Sequence, residues 1–226
     1  MSFQMIHMEI AYRLLSRLPQ IKNAAEFILG SVAPDSVHMN ADYTVDRKVK
    51  SHMFEECGKW SDTQDYQRWE KNIHDVFCQY YGCNEKEVFR DFTVGLCVHC
   101  LTDYWNDLKI WKALQRKYVS DMGFEAFKEA YYPEACGIDI WLYQNSQNTG
   151  VIRKMLSQAA AFDIENMVNV TDIEKQRKNL LEVQYHVDQI DVSGYRFLSE
   201  HSIEEFIEDA VNDIAEKINV WSNEVI

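Results

Sequence analysis

His99 and Asp103 stand four residues apart inside an apolar, Pro-free stretch running from Asp91 to Asp107. On a helix that spacing sends both side chains from one face, with their Cβ atoms about 5–6 Å apart. An imidazole and a carboxylate so placed supply the nitrogen and oxygen donors that zinc accepts. The same pair also serves as an ordinary local hydrogen bond, so the other histidines and aspartates have to decide between the two readings.

Upstream, Gly30 fits a helix C-terminus and Pro34 a sharp stop, which puts Asp35 on a short loop just past a buried helix, where its carboxylate can turn back toward the core. Asp after Pro is equally an ordinary turn residue. His38 follows three residues later and can meet a substrate or an extra ion, or cap the loop. His7 flanks the apolar positions Ile6, Ile10, Leu14 and Leu18 of an N-terminal helix, a place where a histidine can also be a satisfied core residue. Asn106 and Asp107, beside the face carrying His99 and Asp103, suit groups that orient the imidazoles or contact substrate, and solvated polar positions fit them too.

The succession of His7, Gly30-x-x-Ala33-Pro34-Asp35, Lys50-Ser51-His52 and Gly95-x-x-x-His99-x-x-x-Asp103 resembles the bacterial zinc-dependent phospholipase C family over residues 7 to about 107. The resemblance implies an all-helical bundle with up to three zinc ions in its core, which activate water to hydrolyse a phosphodiester. It makes Asp35, His52, His99 and Asp103 one complete metal site, with Asp35 also the carboxylate that tunes catalysis. It makes His7 a ligand of a second ion that Asp103 bridges.

This chain departs from that pattern in two places. The secreted phospholipases hold the second ion partly through a processed N-terminal Trp, whereas here the sequence begins Met1-Ser-Phe-Gln-Met-Ile-His7. The third site needs a histidine soon after the helix Asp and then a His-x-x-x-Glu pair, yet no histidine lies between Asp103 and His186. His201 does stand four before Glu205, but Ser202-Ile-Glu-Glu205 reads as a capping box opening the last helix. One tight zinc ion and at most a second, weak one are therefore expected.

These ligands need a helical frame, and the composition supplies one. The 226 residues suit one domain spanning 1–226, with 46% hydrophobic residues to form a core and only 3 Pro and 8 Gly to interrupt helices. Helical patterns cover about 4–17, 22–30, 62–81, 91–117, 123–147, 150–161, 171–186 and 202–221, with a polar loop at 34–46 and a cap at Asn84 with Glu87. The expected architecture is a single-domain, all-α multi-helix bundle. Aromatic residues at helical spacing, such as Trp60, Trp69, Tyr104, Trp105 and Trp111, fit its core, and a substrate groove is the other use for them.

A net charge of −13 disfavours binding to nucleic acid or anionic membranes. No apolar run approaches the ~18–20 residues of a membrane span. With no secretory pattern at its start, the chain is expected in the cytoplasm, with Cys57, Cys78, Cys83, Cys97, Cys100 and Cys136 reduced. On a helix, Cys97 and Cys100 leave about one hundred degrees to either side of His99 and suit packing better than ligation.

Together these features point to a zinc-dependent phosphoester hydrolase acting on a small phosphoester or a phospholipid head group. One alternative is a non-enzymatic helical domain with a structural or vestigial metal, since four protein ligands also make a closed structural site. Another is an HD-type phosphohydrolase built on His74-Asp75, with His52 upstream and Asp103 downstream.

Overall fold

The computed structural model describes residues 3–82 and 86–225; Cys83 and the cap expected at Asn84 lie outside them. Ten α-helices, a 3-10 helix, a π turn and one two-stranded ribbon make up the described regular structure, so the chain is all-α and forms one domain.

At the centre runs α5 (Glu87–Asn106), whose residues from Asp91 to Tyr104 are buried on every side. A helix apolar all round must be covered all round. Its cover is α1 (Gln4–Leu14), α2 (Ala24–Gly30), α4 (Tyr66–Tyr81) and α10 (Glu200–Val225). The tightest crossing is with α2. A Cβ on Gly30 would lie 2.0 Å from the Phe92 carbonyl oxygen, and one on Gly95 2.1 Å from that of Phe27. Two glycines thus let the backbones touch, and the chain leaving α2 is delivered directly over the middle of α5.

That chain is the first place where the structure departs from expectation. Residues 34–46 are not a polar loop: Ala33–Met39 form a 3-10 helix with Pro34 in its first turn, and α3 (Val45–Ser51) begins at the tail of the segment. The Thr44 side chain caps α3 by accepting from the Arg47 amide. A ribbon follows, β1 (Gly58–Lys59) antiparallel to β2 (Asp62–Thr63), with Lys59 opposite Asp62 and Trp60-Ser61 as its turn. Gly58 at φ +116° and Ser61 at φ +75° supply the left-handed residues that so tight a reversal needs.

Helix α4 starts only at Tyr66, because Asp65 accepts from the Arg68 amide and is therefore its cap. Beyond α5 a π turn (Asp107–Trp111) leads into α6 (Lys112–Met122), so the expected 91–117 helix is one run interrupted by a bulge. After α6 come α7 (Phe124–Asn145), α8 (Thr149–Gln158) and α9 (Val170–Glu182), which ends before the exposed His186. Helix α10 opens at Glu200, not Ser202: the Ser202 amide donates to Ser199 Oγ and the Ser199 amide to Ser202 Oγ, so Ser199 takes the capping role expected of Ser202. Glu205 instead faces His201 at 3.3 Å on the exposed side. Among the described residues no helix is long and apolar enough to cross a membrane.

Candidate metal centre

Four elements converge on one buried point. Helix α1 brings His7, the 3-10 helix Asp35, the residue capping the C-terminus of α3 His52, and α5 both His99 and Asp103; each is at most 5% exposed. Asp103 joins them, with Oδ1 3.4 Å from His7 Nε2 and Oδ2 3.5 Å from His52 Nε2 and 3.8 Å from His99 Nε2. Asp35 Oδ1 lies 3.3 Å from His52 Nε2. Two overlapping sets emerge, His7 with His99 and Asp103, and Asp35 with His52 and His99; within each set the ligand atoms lie within 4.8 Å of one another. All five ligands expected from the sequence are thus brought together, and the buried His/Asp groups can bind a metal ion.

The hydrogen bonds behind the imidazoles determine what their front faces offer. His99 Nδ1 is 2.8 Å from the Ser31 carbonyl oxygen, which can only accept, so the ring proton resides on Nδ1 and Nε2 presents its lone pair. His52 Nδ1 lies 3.0 Å from the Lys48 carbonyl oxygen and 2.9 Å from Ser51 Oγ, whose hydroxyl donates to that same carbonyl, so the arrangement again places the ring proton on Nδ1. The two bare Nε2 atoms then face one another at 3.3 Å, between two carboxylates. Burial lowers the pKa of both His52 and His99, and the neighbouring His7 lowers that of His99 further, so both rings stay neutral. Lone pairs of four buried groups that meet at one point demand a cation or a donor.

Two protein donors do reach the rim. The Gln4 side-chain amide donates to Asp35 Oδ2 at 2.6 Å, and Lys48 Nζ lies 3.4 Å from Asp35 Oδ1 and 3.2 Å from His38 Nε2. Burial raises the pKa of Asp35 and Asp103, but the charge of the chain's amino terminus and of Lys48 at Asp35, and His7 at Asp103, outweigh it, so both carboxyls titrate below their usual range. Neither donor reaches His7: its ring stacks on His99 with centroids 3.9 Å apart, and its buried Nδ1 has no partner. Three imidazoles and two low-pKa carboxylates, with ligand atoms within 4.8 Å in each set, make a donor set that fits a divalent ion with nitrogen and oxygen preference.

The remaining candidates lie around this centre. His38 is exposed on the 3-10 helix, 3.6 Å from Asp35 Oδ1 and tilted against Tyr43. Asp107 accepts from the Tyr66 hydroxyl and shares a cleft of about 20 Å³ with Asp103, Trp60 and Trp69; burial raises its pKa. Asn106 is buried beside it, its amide nitrogen unpartnered. Cys100 Sγ faces the Ser51 carbonyl and burial raises the pKa of Cys97 and Cys100, so both are packed thiols. His74 pairs with Glu224 at 3.0 Å and sits edge-on to Trp221, while Asp75 pairs with Lys71, so the His74-Asp75 dipeptide belongs to another face of α4.

Lys48 and Gln4 escaped the sequence reading, and Trp60 was expected only as an aromatic of the core or of a substrate groove. Lys48 precedes His52 by one helical turn, the only local signal it carries. Gln4 carries none, and Trp60 stands on the ribbon turn, not on a helix, its ring edge-on to His52 with centroids 4.9 Å apart. No family model, curated protein or solved structure matches the chain.

Proposed function

We propose that the protein is a metal-dependent phosphoester hydrolase of the type seen in the zinc-dependent phospholipases C, with zinc as its ion. The observation that carries this reading is the inward-facing pair of bare imidazole nitrogens set between two carboxylates. Asp35, His52, His99 and Asp103 would hold the first ion, and His7 with Asp103 a second, weaker one. A zinc ion, when bound, polarises a phosphoryl oxygen and lowers the pKa of water from about 15.7 to about 7.

The chain's own residues fit roles around that chemistry. The Ser31 and Lys48 carbonyls orient the rings, His99 is common to the two ligand sets with Asp103 reaching across to His52, and Asp35 adjusts the charge of the centre from its 3-10 helix. Asp107 shares the inner cleft with Asp103, where burial raises its pKa against the hydrogen bond it accepts from Tyr66, and it fits a residue that contacts the substrate or the imidazoles' surroundings.

A structural staple is the second reading. The near-complete burial of Asp35, His52, His99 and Asp103 favours it, because closed four-ligand zinc sites are structural. Asp35→Asn separates the two readings. For a catalyst it depresses hydrolysis across a phosphomonoester and phosphodiester panel while the melting temperature moves little. For a staple it mainly lowers the melting temperature, since metal-binding free energy is then folding free energy. Loss of thermal stability in the variant, with no hydrolysis by the parent on any ester of the panel, overturns the enzyme assignment.

A further inference from the structure

A groove of about 820 Å³ opens beside the metal centre, between α3, the ribbon, α6 and the start of α7. Lys48 and Trp60 form its inner end, and both also touch the centre: Lys48 Nζ lies 3.4 Å from Asp35, and the Trp60 ring packs on His52. Lys48 Nζ stands 4.6 Å from the Trp60 ring centroid, so the cation and the aromatic wall make one corner. The inner cleft reaching Asp103 holds about 20 Å³, room for a water and no more. The groove is within the usual size of a small-molecule site.

Its lining is unusual for this chain in two ways. Six large hydrophobic side chains are exposed among the described residues, and three of them, Tyr43, Val45 and Phe124, line this groove. In a protein of net charge −13 the groove also collects Lys48, Lys59, Arg116 and Lys128 against Asp62 and Glu125. Asp62 is held by Lys112 at 2.9 Å and Glu125 by Lys128 at 3.5 Å, whereas Lys59 and Arg116 have no carboxylate within ion-pair distance among the described residues. The local field is therefore positive where the molecule as a whole repels anions.

We infer that this groove binds an anionic ester bearing an apolar or aromatic substituent, its acid group taken by Lys48 at the inner end and its substituent lying against Trp60, Tyr43 and Phe124. The inference rests on the hydrolase reading for the ester's fate, but not for its binding. Lys48 is a positioning residue: it presents the acid group to the centre that Asp35 borders, and Lys59 and Arg116 draw the anion in. A polar, uncharged or cationic ligand gains nothing from such a lining.

The probes are 1-naphthyl phosphate, 1-naphthol and inorganic phosphate, titrated calorimetrically into the full chain with chelator and again with added zinc. With chelator present, 1-naphthyl phosphate should bind at least about tenfold more tightly than either half-molecule, because both the apolar and the ionic contacts are required. Lys48→Gln should weaken it about tenfold or more. The exposed Phe124→Ser should weaken it roughly three- to tenfold and leave inorganic phosphate unchanged. Arg116→Gln should weaken it and flatten its salt dependence.

If Lys48→Gln fails to fold, the two rim variants decide alone. Unchanged 1-naphthyl phosphate affinity in both, or no binding to the parent, overturns the groove assignment. Rim-sensitive binding without turnover of any ester in the zinc-loaded protein sinks the hydrolase reading and leaves the groove standing. Turnover with a KM indifferent to Phe124→Ser and Arg116→Gln does the reverse.

Discussion

At the scale of single residues, the centre depends on which atom of each imidazole carries the proton. His99 is aimed by the Ser31 carbonyl, which leaves no choice of tautomer, and His52 by the Lys48 carbonyl together with the Ser51 hydroxyl that donates to it. Each bare Nε2 is then worth more to a metal than a freely rotating ring would be, since its orientation is fixed before binding. His99→Ala or Asp103→Ala should accordingly release the ion, measured as metal per chain by elemental analysis after purification without added metal. His99 belongs to both ligand sets, and Asp103 belongs to one and lies 3.5 Å from His52 of the other. Cys97→Ser, a change on the same helix, should keep the parent's metal content, because that thiol is buried and held protonated. Metal loss in Cys97→Ser, or full retention in His99→Ala, means the ligands are others.

At the scale of elements, the α2–α5 crossing sets the reach of everything on the 3-10 helix. Only glycine at both 30 and 95 permits backbone contact, and that contact is what brings the Ser31 carbonyl to His99. Gly95→Ala should cost about 1–3 kcal/mol or more, as overpacking against an immovable carbonyl does. It should also weaken metal binding, because the helices part where Ser31 orients the ring. Gly150→Ala in α8, with nothing within 4 Å of the added methyl, should be neutral or gain about 0.5–1 kcal/mol from helix propensity. Chemical denaturation of both variants, with metal titration of Gly95→Ala, checks the pair; equal stabilities refute the crossing as the constraint.

At the scale of the whole molecule, a second buried carboxylate ties distant elements to the helix that carries His7. Asp139 on α7 accepts from the Ile6 amide in α1 at 3.0 Å and from the Tyr185 hydroxyl, beyond α9, at 2.8 Å. Burial pushes its pKa up to about 7 against those hydrogen bonds, which lower it. An unfolded Asp titrates near ~3.9. Between about pH 4 and 7 the folded chain therefore holds a proton that the unfolded chain has lost, and this group's contribution to stability falls as pH rises through that window.

Asp139→Asn keeps an acceptor for Ile6 and a donor for the Tyr185 oxygen but cannot ionise. Its melting temperature relative to the parent should rise by about 2–8 °C between pH 5 and pH 8. A difference independent of pH excludes the buried ionisation. Metal acts on the same balance. Zinc at about 100 times its Kd stabilises the fold by about 2.7 kcal/mol, so chelation should lower the parent's melting temperature by roughly 5–10 °C. It should leave His99→Ala unmoved.

What could be read from the sequence alone was whatever depends on neighbours within a turn or two of chain. The i,i+4 pair of His99 and Asp103, the helix that carries it and the all-α class follow from apolar spacing and scarce Pro and Gly, because helical hydrogen bonds are local. The short α3, the 58–63 ribbon and the 3-10 helix escaped because seven or fewer residues show no usable period and their conformations are imposed by what they pack on. Gly30 was read as a helix end, and it is one, but its partner Gly95 and the contact between them belong to the tertiary structure. So do the meeting of His7, Asp35, His52 and His99 and the corner formed by Lys48 and Trp60. Residues up to 92 positions apart are brought to one point only by the packing of α1, α2 and α3 around α5, and such long-range burial leaves no mark on local spacing.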